Sequence, residues 1–340
     1  MGWNNKIKIF ITGATGFLGS NLVKILTEQG KEVTIFVRKG SDHPFLKGLN
    51  IDRVHGDITD YPSINKVIKG CTHVYHAAGY LSYSRIHINK LMEINVKGTE
   101  NVCRAAVENN ITKLVHVSST SAIGIPKYKE KPADETHLFN KRWKKNPYMM
   151  TKRLSEEVAL GFVDKGLNVV VVNPSTFYGP GDIKIHSGEV FRNIASGTLR
   201  IAPPGGTGII SIMDCVQGLI AAMERGEKGQ RYILNSENLT LIQLFNTIAH
   251  VLDKPPIIKI LPRWTYYPLY LFAFIMENIY GVLGKDSKID CGTIDMSWRY
   301  RYFNSSKAHN ELQWKPKLSF QETCKSALNF YRSIGAIDYK

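Results

Sequence analysis

Acidic residues are in short supply in this chain, with 29 Asp and Glu against 44 Lys and Arg, a formal charge of +15 over 340 residues. The imbalance points to an anionic partner: a phosphate-bearing cofactor, an acyl carrier, an acidic lipid surface or nucleic acid. Nucleic acid is not expected, because the basic residues are scattered among helices and no recognised nucleic-acid module is present. Cysteine is also scarce. Cys71, Cys103, Cys215, Cys291 and Cys324 lie far apart, with no CxxC pair and no His/Cys cluster at ligand spacing, so they read as reduced packing residues and no metal site is expected. Low-complexity tracts and internal repeats are absent, which excludes a solenoid and any long disordered stretch. A strand-like run begins almost at the N-terminus, leaving no charged region, apolar core and cleavage site for a signal peptide. A cytoplasmic location is the expectation.

The length that is present suits one large α/β domain carrying a smaller appended one. From Lys6 to Ser175, short β-branched runs alternate with longer amphipathic stretches, the pattern of βαβ units and a parallel sheet. Strands are expected at 6–12, 32–38, 51–57, 73–78, 113–119 and 168–175, their unbroken apolar runs suiting burial on both faces. A helix over 17–30 carries Phe17, Leu18, Leu22, Ile25 and Leu26 at helical spacing and stops at Gly30. Another starts at Asn146, an N-cap followed by Pro147. After about Gly181 the alternation weakens and helical stretches dominate, although 208–235 again reads as strand, helix and strand. The expected fold is therefore a doubly wound, parallel-sheet Rossmann domain over 1–180, to which 208–235 returns, with a smaller, mostly helical substrate-binding part over 181–340.

The run Thr12-Gly13-Ala14-Thr15-Gly16-Phe17-Leu18-Gly19 joins the first strand to the first helix, where a doubly wound sheet binds a dinucleotide. Gly13 permits the tight turn, Gly16 lets backbone approach a pyrophosphate, and Gly19 lets helix pack on strand; the helix start offers free N–H groups to phosphate. Gly13, Ala14, Thr15, Gly16, Phe17 and Leu18 are the candidate phosphate-binding residues. At the end of the second strand an acidic side chain would bind the ribose 2′-OH of NAD, but the chain reads Val37-Arg38-Lys39. Arg38 can pair with a 2′-phosphate, so NADP(H) is favoured over NAD(H); stacking of Arg38 on adenine would admit NAD as well. Asp57 and Ile58, at the end of the third strand, are placed for the adenine, and Ala77, Ala78 and Gly79 end the fourth with side chains small enough to admit a cofactor. An Asp in such a loop equally often caps a helix.

Tyr148 and Lys152 stand at i and i+4 on a helix, which sets an ammonium beside a phenol. A neighbouring cation is expected to pull the phenol down from its ordinary value of ~10, so that Tyr148 can trade a proton as hydride moves. Ser119, ending the fifth strand, can hydrogen-bond the same substrate oxygen.

Taken together, TGATGFLG at 12, Asn95-Val-Lys-Gly-Thr99, the Ser119 strand end, YxxxK at 148 and NPSTFYGPGD at 173 resemble the extended short-chain dehydrogenase/reductases in order and spacing. The runs at 229–240 and 303–308 resemble that family's dihydroflavonol-reductase-like branch, which also holds 3β-hydroxysteroid dehydrogenases and hopanoid-associated epimerase-like proteins. The resemblance implies that Asn95 supports the cofactor side of the site and that Pro174 and Ser175 line the nicotinamide. It also selects Ser119 from Ser118, Ser119 and Thr120, counting back from Gly124.

Two departures bear on substrate. Sugar-nucleotide enzymes of the superfamily carry an Arg before the strand that corresponds to 206–214, where this chain has no basic residue; dehydratases carry an acidic pair where it has Thr120-Ser121. Carbonyl reduction or alcohol oxidation on a moderately hydrophobic small molecule is the leading expectation. The rivals are a sugar-nucleotide epimerase or dehydratase and a non-catalytic dinucleotide sensor. The aromatic segment at 262–284 is expected either to pack as a helix over the pocket or to meet a membrane surface or lipidic substrate, being too short and interrupted for a bilayer span. A homodimer is left open.

Overall fold

The computed structural model describes residues 7–140, 145–283, 285, 287 and 289–337; Lys6 and Gly284, both included in the expected segments, lie outside them. Seven parallel strands form the central sheet: β1 (Lys8–Thr12), β2 (Glu32–Val37), β3 (Asp52–His55), β4 (His73–His76), β5 (Lys113–Val117), β6 (Val169–Pro174) and, beyond β7 (Thr176–Tyr178), β8 (Ile201–Ala202) and β9 (Gly206–Ser211), the last strand β10 (Arg231–Leu234). The order is β10-β6-β5-β4-β1-β2-β3, so the winding direction reverses between β1 and β4. Ligands bind such sheets in the crevice at this reversal, beyond the carboxyl ends of the strands. The inner strands read as the apolar runs predict: β6 is Val-Val-Val-Val-Asn-Pro and all six residues are buried.

Helices cover both faces. On one side α1 (Phe17–Glu28) packs with a helix from the later chain; on the other lie α2 (Tyr61–Val67), the short α3 (Ile88–Leu91), α4 (Gly98–Glu108) and α5 (Pro147–Gly161). Past α6 (Glu189–Ala195), that later helix is α7 (Ile212–Arg225), which leads into β10 and lies against α1. The stretch over 206–234 thus contributes a helix and an edge strand to the main sheet.

The second layer is mostly helical but holds a small sheet that periodicity did not reveal. In it β9 pairs with β7, with β11 (Glu237–Thr240) and, past the two-residue β12 (Lys259–Ile260), with β13 (Tyr300–Arg301). Strands of two to four residues are too short to carry a readable alternation. Around it pack α6, α8 (Leu241–Val251) and, after α9 (Tyr266–Val282), α10 (Cys291–Ser297) and α11 (Ser306–Glu311), the helix α12 (Phe320–Ser333). No helix of the described residues is long and apolar enough to cross a membrane.

Candidate active site

The turn between β1 and α1 is built on contacts only glycine allows. Gly13 has φ +73°, and a Cβ there would sit 2.5 Å from Ala78 N and 2.6 Å from Ala77 O, so this turn lies flush against the end of β4. A Cβ on Gly19 would collide with the Gly13 carbonyl, fixing how closely α1 approaches. Gly16 is the extended N-cap of α1, with no side-chain cap and no acidic residue in the first turn, which leaves the helix N-terminus aimed at the crevice. Ala14 and Leu18 turn their side chains into the core, and Phe17 packs edge-on against Phe177 at 5.3 Å. Backbone N–H groups are what these three offer an anion.

A cavity of about 290 Å³ opens over this turn. Gly13, Thr15 and Gly16 form its floor, with Arg38 from the end of β2, Asp57 and Ile58 from the end of β3, and Ala77, Ala78 and Gly79 from the end of β4. The Asp57 carboxylate accepts the Thr59 N–H and hydroxyl through Oδ1, both at 2.9 Å, so one oxygen caps the turn and the other is left for a ligand. Two further cations line the same cavity, Lys90 from α3 and Lys184 from the loop after β7, and neither is singled out by any local motif. The Asp182 carboxylate shapes that loop, accepting the His186, Ser187 and Gly188 N–H groups at 2.9–3.0 Å.

Asn95 does not line the cavity but braces it. Its side chain accepts the Tyr80 N–H at 2.7 Å and donates to the Tyr80 carbonyl and to Thr151 of α5, tying the end of β4 to the helix that bears Tyr148. Asn95 lies in a π-helical turn over 92–97, a local widening that such sites often use. At the end of β6, the Ser175 hydroxyl is buried with no hydrogen-bond partner. A donor left in that state, at the carboxyl end of a central strand, fits a polar ligand group, as do the cavity and the open helix start. The residues present therefore suit a dinucleotide.

Asn146 caps α5 through a bond from Met149 N to its Oδ1 at 3.1 Å, and Pro147 takes the first position, so Tyr148 enters at a fixed angle. Ser119 caps the following 3₁₀ turn by accepting the Ser121 N–H at 3.1 Å, and that turn packs against α5. Burial pushes the Tyr148 phenol well above its ordinary value, and nearby Tyr83 adds to the rise; the Ser119 hydroxyl opposes it only in part. This reverses the expected direction: Lys152, 6% exposed, gives its ammonium to the Val117 carbonyl at 2.9 Å, and burial brings it down to about 8. Beneath it the His76 and His116 rings stand 5.3 Å apart, and burial lowers both, His76 to about 3.

One turn beyond Lys152, the buried Glu156 partly restores the lysine's charge. Glu156 also accepts the Asn173 side-chain amide, which donates as well to the Ser119 carbonyl at 2.9 Å, and it pairs with Arg231 at 2.9 Å. Glu156, Asn173, Arg231 and Tyr83 were not candidates. Only Glu156, at i+4 from Lys152, left a local trace.

Residues 9–235 match the NAD dependent epimerase/dehydratase family. The chain is 32% identical over 333 residues to a Synechocystis sp. protein named "Putative dihydroflavonol 4-reductase", covering 96% of this chain and 95% of that one. It is 32% identical to sterol demethylase protein B of Methylococcus capsulatus, over 74% of this chain and 77% of the other. Among solved structures, gox2253 superposes with a TM-score of 0.84 at 30% identity, covering 98% of this chain and 100% of that one. The chain belongs to the NAD-dependent epimerase/dehydratase family, as an extended short-chain dehydrogenase/reductase and thus an NAD(P)-dependent oxidoreductase.

Proposed function

We propose that the protein interconverts a ketone and an alcohol on a moderately hydrophobic small molecule, with NADP(H) preferred over NAD(H). The observation that carries this reading is the packing of the turn that Ser119 caps against α5, the helix bearing Tyr148, with the Lys152 ammonium one helical turn on and held at the Val117 carbonyl. A bound nicotinamide dinucleotide would supply or accept the hydride. A phenol raised by burial is neutral at physiological pH, so Tyr148 enters the reaction as an acid and gives its proton to the carbonyl oxygen. Ser119 donates to that same oxygen and polarises it. Lys152, cationic below about 8, stabilises the phenolate left behind and holds the ribose.

Gly13, Ala14, Thr15, Gly16, Phe17 and Leu18 would hold the pyrophosphate through backbone, Asp57 and Ile58 the adenine, Ala77, Ala78 and Gly79 the dinucleotide's middle, and Pro174 and Ser175 the nicotinamide, with Asn95 as brace. The NADP(H) preference rests on Arg38 together with Lys90 and Lys184 around one cavity, a surplus of positive charge suited to a 2′-phosphate. A hydrophobic substrate is supported by the relatives' names and by the apolar segment over 262–284. The test is a panel of apolar ketones and alcohols followed through nicotinamide absorbance with each cofactor. Turnover of apolar ketones with NADPH is expected; tight binding and epimerisation of nucleotide sugars, with no ketone turned over, would overturn it.

A further inference from the structure

Helix α9 is folded inside out relative to a surface helix of a soluble domain. Its sequence, YYPLYLFAFIMENIYGV, holds a single charged residue, Glu277, and that residue points inward and is 1% exposed. Ala273 and Glu277 are its buried positions. On the opposite side Tyr267, Leu271, Ile275, Ile279 and Val282 recur at helical spacing, and all are exposed, from 47% at Ile275 to 89% at Val282. Trp264, Phe274 and Leu283 extend this stripe at 69%, 41% and 63% exposure. The stripe runs along about 25 Å of helix at 1.5 Å per residue. A continuous apolar face of that kind marks an interaction site.

Charge and ring chemistry identify what covers it. Basic residues precede the helix, Lys254, Lys259 and Arg263 against the one acid Asp253, while the stripe itself carries no charge. Trp264 and Tyr267, rings of the kind that favour the boundary between hydrocarbon and headgroups, stand exposed at the N-terminal end of the stripe. A second copy of the chain is a poorer occupant. Pairing two such helices in parallel sets their basic N-terminal flanks against each other, and like charges across an interface cost affinity. Anionic headgroups meet the same lysines and arginine with opposite charge.

The inward side ties the helix to the catalytic centre. Glu277 accepts the Ser84 hydroxyl at 3.0 Å, the Arg85 N–H at 2.6 Å and, from the start of α10, the Cys291 N–H at 3.4 Å. Next to Ser84, Tyr83 packs edge-on against Tyr148 with ring centroids 5.5 Å apart.

From these observations we infer that α9 is an in-plane docking helix for an anionic phospholipid surface, through which an apolar substrate passes from the lipid phase to Tyr148. The inference deepens the ketone/alcohol reading and depends on it for the substrate's chemistry. Docking itself is physically separate, since it needs only the stripe and its basic N-terminal flank.

Sedimentation of the full chain with vesicles tests it, using phosphatidylcholine alone and phosphatidylcholine mixed with phosphatidylglycerol. Binding to the mixed vesicles is expected, weaker on phosphatidylcholine alone and weakened by salt. Leu271→Glu with Ile275→Glu should lower partitioning at least about tenfold, because two buried aliphatic side chains are removed from the apolar phase. Circular dichroism and turnover of a water-soluble ketone should stay unchanged. Val282→Glu, at the most exposed position of the stripe, should weaken binding with least risk to folding. A wild-type chain that stays in the supernatant with both vesicle types overturns the inference, as does undiminished binding by the variants. A dimer in light scattering that the double variant dissolves, with no vesicle binding, assigns the face to a second copy instead. Vesicle binding without turnover of any ketone would leave the docking helix standing and sink the catalytic reading; turnover without vesicle binding would do the opposite.

Discussion

Tyr83 meets Tyr148 edge to face, their ring centroids 5.5 Å apart and their planes 85° from one another. The first ring comes from the loop after β4 and the second from α5, so this contact joins that loop to the helix bearing the candidate proton donor. An aromatic pair of this geometry contributes about 0.5–1.5 kcal/mol beyond its burial. Tyr83→Phe should keep the contact and leave steady-state kinetics nearly unchanged. Tyr83→Ala should lower kcat/KM for the ketone about tenfold while the Kd for NADPH, measured by fluorescence, stays within twofold.

Replacing Tyr148 by Phe removes the proton donor and keeps the ring that packs on Tyr83. Turnover should fall by ~10²-fold or more, the usual contribution of a general acid. Affinity for NADP(H) should survive. Near-normal turnover in the Phe protein would exclude Tyr148 as the acid.

The pH dependence follows from Lys152, whose ammonium burial lowers to about 8 from an ordinary 10.5. Below about 8 the cation is present; above it the charge is lost, and with it the support for a phenolate and for a bound ribose. A plot of kcat/KM for the cofactor against pH should therefore be level up to about 8 and decline beyond. Lys152→Met should abolish that decline at a uniformly low rate. The stability term has the opposite slope: between about 8 and 10.5 the unfolded chain holds more protons at this group, so its contribution to unfolding free energy rises with pH.

Arg38→Asp should weaken NADPH far more than NADH, because it deletes a charge-assisted pair and opposes a 2′-phosphate with a carboxylate. Losing a charged hydrogen bond costs roughly 1.5–3 kcal/mol, so the affinity ratio should move tenfold or more. Lys184→Gln, removing a cation from the far wall of the same cavity, should move it in the same direction by less. Titration of both cofactors against the three proteins checks this; an unchanged ratio in Arg38→Asp would mean that the guanidinium only stacks on adenine.

What was legible in the sequence was local. The glycine turn, the Asn146 cap and the Tyr148–Lys152 pair each occupy a handful of consecutive residues whose spacing dictates their geometry, and the apolar strand runs announce a sheet covered on both faces. Lys90, Lys184 and Tyr83 carry no such mark, since each arrives from a loop or a one-turn helix placed by remote contacts. The second sheet was hidden because three of its strands are too short to alternate, and its six-residue strand β9 was expected to return to the main sheet. The phenol's direction was misjudged for a related reason: helical spacing puts Lys152 beside Tyr148 but does not reveal that the ammonium is held by Val117. The 262–284 segment carried its chemistry openly, yet whether its apolar residues faced in or out depended on the inward anchor at Glu277.

The Glu156–Arg231 pair bears on when the protein becomes able to react. Arg231 opens β10, a strand that joins the main sheet only after the chain has left it and returned through α7, whereas Glu156 lies on α5, which also carries Tyr148 and Lys152. Until β10 docks, the buried Glu156 carboxylate lacks its guanidinium partner, and only Lys152 and Asn173 balance it, while Asn173 also holds the Ser119 carbonyl. The adenine and pyrophosphate half of the dinucleotide site, resting on the first four strands, can then mature before proton transfer does. During refolding, fluorescence of bound NADPH should recover in an earlier phase than turnover.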